Sequence, residues 1–243
     1  MIDYSNNSGP QSNTGEVKAQ DTTNTFLANV FTYMGGALAI TGLLAYWFGN
    51  TPDLMSYLIN PMGGASTLGY VVIFAPLAFV LVMSFAFSKL SSFALLGLFV
   101  LYAAVMGVSM SFIFLIYTAS SIASTFFITA ATFGVMAVMG YTTKQDLTKF
   151  GSILFMALIG IIIASVVNMF LGNGMLDIII SCVGVLIFTG LTAYDVQKLK
   201  RIGAGVEYGS ESANKLAIMG ALNLYLDFVN LFMMLLRLFG NRR

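Results

Sequence analysis

Seven apolar stretches, at about Phe26–Phe48, Gly69–Ser88, Ser91–Tyr117, Ser121–Tyr141, Phe150–Gly172, Ile178–Tyr194 and Leu216–Leu236, dominate the chain and are separated by mostly short polar connections. Each run is continuous rather than alternating, which predicts helices and not barrel strands. Each is long enough, or nearly so for the sixth, to cross a hydrocarbon core about 30 Å thick. A helix also satisfies every backbone N–H and C=O within the segment, as lipid demands. The expected fold class is therefore all-α: a polytopic membrane protein built as a seven-helix bundle. Residues 1–24 are polar and rich in Asn, Ser, Thr and Gly. With no basic stretch leading into an apolar one, they predict a disordered tail and not a signal peptide. Residues 25–240 form one membrane domain, and 241–243 a basic C-terminal tail.

Composition agrees with this solvent and narrows the chemistry. The chain is 58% hydrophobic and only 9% charged, against roughly 25% charged residues in soluble domains. A formal charge of +1 with no long basic cluster gives no reason to expect nucleic acid; the first partner is the lipid bilayer. Histidine is absent, which removes His-dependent triads, the usual His-containing zinc sites and histidine pH switches. Carboxylates are then the natural proton-titrating groups near neutral pH. The single cysteine, Cys182, lies in an apolar run and reads as a small core residue. Tyr46, Trp47, Phe48, Tyr70, Tyr117 and Tyr141 stand near segment ends and suit interfacial belts. Gly160 and Ala164 form a small-xxx-small pair that predicts close helix packing.

Basic residues give an orientation. With the N-terminus inside, Lys18, Lys89, Lys144, Lys149, Lys198, Lys200, Arg201 and Lys215 all fall on the cytoplasmic side, and the outer loops hold only Asp53 and Asp177. Arg237, Arg242 and Arg243 fit this scheme in two ways. Either the seventh segment re-enters and returns inside, or it crosses fully and carries three basic residues to the far face.

Two acids stand out against the apolar background. Asp227 sits in the middle of the run Leu216–Leu236, with no other ionisable acid or base beside it. It lies 12 residues past Lys215, about 18 Å along a helix. A lone carboxylate there costs several kcal/mol unless a partner, water or proton compensates, so it marks a functional site. Asn223, Asp227 and Asn230 follow i, i+4, i+7 spacing and share one face, with Gly220 close to the same line. Such a polar stripe belongs against other helices or a wet cavity. Asp195 ends the sixth run, with Ser181, Gly184, Phe188 and Thr192 near its face. Read from spacing alone, Asp195 is also compatible with an ordinary helix-end acid ahead of Lys198, Lys200 and Arg201. It lies shallower than Asp227, and the two meet only if the seventh helix begins in the interface or water penetrates from inside.

Tyr194-Asp195 followed by Gln197, and the string Leu224-Tyr225-Leu226-Asp227-Phe228-Val229-Asn230-Leu231-Phe232, resemble the transmembrane Bax inhibitor motif family. The seven segments, the short loops and the closing Leu-Leu-Arg-Leu-Phe-Gly at Leu235 to Gly240 are similar too, so the resemblance spans residues 26–240. It implies a bundle with the C-terminal helix central, in a bacterial inner (cytoplasmic) membrane. It also implies a calcium leak conductance made pH-sensitive by the pair Asp195 and Asp227. Two carboxylates sharing a buried site cannot both ionise cheaply, so the titration belongs to the pair. Calcium takes oxygen ligands in a flexible shell, which the two acids with Asn223 or Asn230 supply only in part, and Thr192 and Tyr194 are expected beside the path. No enzyme activity and no cofactor are implied; calcium is the permeant or weakly bound species, and protons are the other partner. Some bacterial members carry an arginine near the end of the second helix that latches onto the pair. Here Phe85-Ala86-Phe87-Ser88-Lys89 has none, and Lys89 is the latch candidate, lacking the bidentate fork of a guanidinium. Two further classes compete: a proton-coupled small-solute transporter and a non-conducting regulatory membrane protein. An intramembrane aspartyl protease shares the Tyr-Asp pair, but Asp227 lacks the preceding Gly-x-Gly and no Pro-Ala-Leu follows.

Overall fold

The computed structural model describes residues 12–207 and 209–242. They form helices α1 (Ser12–Gly49), α2 (Pro52–Leu58), α3 (Thr67–Ala86), α4 (Ser92–Met110), α5 (Ile113–Ile116), α6 (Ala119–Thr142), α7 (Thr148–Leu171), α8 (Gly174–Gly205) and α9 (Glu211–Phe239). Seven spans are long and apolar enough to cross a membrane, α4 and α5 together making one of them. The protein is an all-α polytopic membrane protein, as the hydrophobic pattern predicts. Residues 1–11 of the expected polar tail lie outside the described residues, and the rest of it belongs to α1. Two of its polar side chains meet protein: Thr23 is buried, and Asn24 accepts a hydrogen bond from the Tyr141 hydroxyl at 2.8 Å.

Ser, Thr and Asn set the starts of these helices. Ser66, Ser91, Thr118, Asn173 and Ser210 each accept a backbone N–H from the first turn of α3, α4, α6, α8 and α9, covering donors that would otherwise be orphaned. Contacts between helix ends define two faces. At the lysine-rich end, Glu211 of α9 accepts the Ser92 backbone N–H and hydroxyl. At the opposite end, Thr118 N–H donates to Asn241 O at 3.1 Å, and Asn241 N–H donates to Ser121 Oγ at 2.8 Å. Helix α9 runs unbroken between the two, from the lysine-rich end of the bundle to the opposite one, without a re-entrant turn. Arg237 is tolerated at the far end partly because it pairs with Asp177 at 3.5 Å.

Helix α9 packs on α1, α4, α6 and α8, and 72% of its apolar window is buried, against 44% or less in the other six spans. A buried polar knot ties three of these helices. Thr41 Oγ1 donates to Ala103 O at 2.8 Å, so the hydrogen in its 2.7 Å contact with the Tyr225 hydroxyl comes from Tyr225. Glycines permit the closest approaches to α8. A Cβ on Gly140 would lie 2.2 Å from Ala193 O, and one on Gly151 would strike the Tyr194 ring at 2.5 Å. Three sequence expectations fail here. A Cβ on Gly160 would meet nothing within 4 Å, Cys182 is exposed, and Tyr117 is buried instead of belting the interface.

The α6–α7 loop is clamped onto the end of α8. Gln197 accepts the Leu147 N–H at 2.9 Å and donates to Gln145 O at 2.7 Å. Arg201 reaches Thr148 Oγ1 at 2.9 Å and also bonds Asp146 and Gln197. Hydrogen bonds from the Thr148 hydroxyl and N–H, joined by Arg201, hold the Asp146 carboxyl at about 2, below its ordinary 3.8. A depressed carboxyl favours the folded loop above pH 3.8, and that contribution is lost as pH falls through about 2. An NMR titration of Asp146 is expected to find its midpoint in that low range, with Thr148→Ala moving it upward. A midpoint unchanged by Thr148→Ala would mean that these bonds do not set it.

Candidate functional site

A cavity of about 750 Å³ opens between α7, α8 and α9, and Asp195, Asp227, Asn223, Asn230 and Tyr194 all line it. It exists because α7 packs chiefly on α8, leaving a gap toward α9 that α8 floors. Asp227 enters from α9 and is only 6% exposed; among the described residues its Oδ2 has no hydrogen-bond partner. Asp195 enters from α8, half-buried, and within electrostatic reach of Asp227. Asp195 and Asp227, placed at different depths by the sequence, line the same cavity. Asn230 donates to Leu226 O at 2.8 Å, which leaves its side-chain carbonyl free of that bond. Asn223 is exposed.

Two expected site residues are not brought here. Thr192 is buried and its hydroxyl donates to Phe188 O at 2.8 Å, so it serves the α8 backbone. Lys89 is exposed in the α3–α4 turn and does not line the cavity, since α3 packs on α4 and α2 instead. The cation at the cavity is Lys198, whose charge acts on Asp195; its place three residues after Asp195, on the same helix face, was the available signal. Ser152 and Ser165 of α7 also line the wall, visible in the sequence only as small polar breaks in an apolar run. Gln197, quoted above only as part of a motif, is the hub of the loop clamp.

Among the described residues neither carboxylate forms a salt bridge, and no group of three or more His, Cys, Asp or Glu side chains gathers. Two carboxylates with amide oxygens can offer a cation part of a shell, in a space wide enough for water to complete it. Arranged so, the site suits transient coordination.

Residues 23–243 match the family described as inhibitor of apoptosis-promoting Bax1. The chain is 47% identical over 220 residues to the inner membrane protein YbhL of Escherichia coli, covering 90% of this chain and 92% of that one. It is 46% identical to a protein of Borreliella burgdorferi (90% and 93% covered), and 36% identical to the membrane protein SpyM3_0260 of Streptococcus pyogenes (89% and 93%).

Proposed function

Because the chain belongs to the family of the inhibitor of apoptosis-promoting Bax1, we propose that it is a pH-sensitive calcium leak channel of a bacterial inner membrane, with Asp195 and Asp227 as sensor and gate. The observation that carries this reading is the pair of carboxylates from adjacent helices on one open cavity, one of them with a buried oxygen that has no partner among the described residues. A cation in the cavity supplies the missing partner for Asp227 when the pair is ionised. A proton supplies it otherwise, and then the charge that attracts the cation is gone. With the lysine-rich end toward the cytoplasm, the cavity faces inward and Lys198 stands at its mouth, where it opposes cation entry and competes for Asp195. Asn223 and Asn230 offer the additional oxygens, and no catalytic step is involved.

The test is calcium flux into liposomes across a range of pH. Wild-type protein is expected to conduct in a pH-dependent way. Asp195→Asn should move the midpoint by about one pH unit or more, the scale on which neighbouring charges act, because the remaining acid then titrates alone. No flux at any pH sinks the channel reading, and an identical profile in Asp195→Asn sinks the coupling of the two acids.

A further inference from the structure

Resting on the ion-path reading above, we propose that the Met234 side chain, seated on Gly184, is the barrier between two halves of one aqueous path along α7, α8 and α9. A second cavity, of about 630 Å³, opens at the far end of the same three helices, lined by Asn168 of α7, Asp177 and Ser181 of α8, and Arg237 of α9. The residues joining the two cavities stand on single helix faces. On α8, Asp177, Ser181, Gly184, Phe188, Leu191 and Asp195 step by three or four residues; on α9, Asp227, Asn230, Met234 and Arg237 do the same. Helix α7 continues in the same way, from Ser165 and Val166 on the first cavity to Asn168 on the second. From Asn230 to Arg237 the gap is roughly 10 Å along the helix.

Met234 fills that gap. It is 9% exposed and lies on the wall of the first cavity. Its Cγ and Sδ atoms are each 2.9 Å from where a Cβ on Gly184 would sit. The thioether therefore occupies the volume that any side chain at Gly184 would need. An unbranched side chain with three rotatable bonds can leave that seat without moving the backbone, and when it does the two cavities meet. The lysine-rich half then carries Asp195, Asp227 and Lys198, and the far half Asp177, Arg237 and Arg242.

The test combines thiol accessibility with flux, in a Cys182→Ser background. Asn168→Cys, on the far cavity and partly exposed, is expected to react with a membrane-impermeant thiol reagent applied from the Asp177 side. Leu226→Cys, on the first cavity, is not expected to react from that side while Met234 is intact. Adding Met234→Ala should make Leu226→Cys reactive from the Asp177 side and raise calcium flux several-fold, whereas Met234→Leu should leave both near wild type. Reaction of Leu226→Cys from that side with Met234 intact overturns the barrier, and this arm does not depend on how well the alanine variant folds. Folded Met234→Ala protein with neither new reactivity nor higher flux also overturns it. If wild-type protein conducts no calcium yet the labelling pattern holds, the barrier stands and the calcium reading falls.

Discussion

Asp227→Asn is expected to lower calcium flux about tenfold or more, the factor that 1.4 kcal/mol represents, while leaving the protein as stable as wild type or more so. The two halves of this result have one cause. A carboxylate 6% exposed, with an oxygen left without a partner among the described residues, costs several kcal/mol in an apolar bundle. An amide of the same shape avoids the charge, so thermal unfolding in detergent should not shift downward. Flux should fall because the same charge is what holds the cation. Loss of function without loss of stability separates a functional acid from a structural one. A variant that unfolds would make Asp227 a structural residue, and wild-type flux in a folded variant would move the ion path elsewhere.

The largest effect on folding is expected at Gly140. There a methyl group would meet Ala193 O at 2.2 Å and Ala193 C and Cα at 2.8 Å, all backbone atoms that cannot rotate aside. Gly140→Ala must therefore push α6 from α8, and overpacking of this kind costs about 1–3 kcal/mol, occasionally more. For a chain of this length, each kcal/mol lowers Tm by roughly 2–4 °C. Gly160→Ala is the matched control: with nothing within 4 Å of the added Cβ, it gains helix propensity and should hold or raise Tm. Equal behaviour of the two variants would show that the α6–α8 crossing is looser than this packing implies.

The hydrophobic pattern located all seven spans, and the i, i+4, i+7 spacing correctly put Asn223, Asp227 and Asn230 on one face, because a polar stripe in an apolar run has a single economical placement. What it did not reveal was which apolar face meets protein and which meets lipid. Hydrocarbon tails are as apolar as leucine, so Cys182 and Gly160 read as packed when the first is exposed and a Cβ on the second would meet nothing within 4 Å. Neighbour relations are hidden for the same reason: the sequence names Lys89 as a latch candidate only by resemblance, and does not show that Lys198 lines the cavity of the acids. Loop chemistry was hidden differently. Gln197 and Arg201 grip residues 145–148 from about fifty positions away in the chain, a pairing that no local period encodes.

Helix α7 is fastened along one side and over part of its length. Its buried residues are Gly151, Leu154 and Ile161, with none beyond, so its far half leans on the bundle with little of its surface enclosed. Its outer face carries Ile159, Ile163, Val167 and Phe170, all exposed, and these bear on acyl chains. The lateral pressure of the bilayer thus becomes one of the forces that close the wall of both cavities. Flux measured in vesicles of shorter or longer acyl chains should depend on chain length, as it would not if the seven helices enclosed the path rigidly.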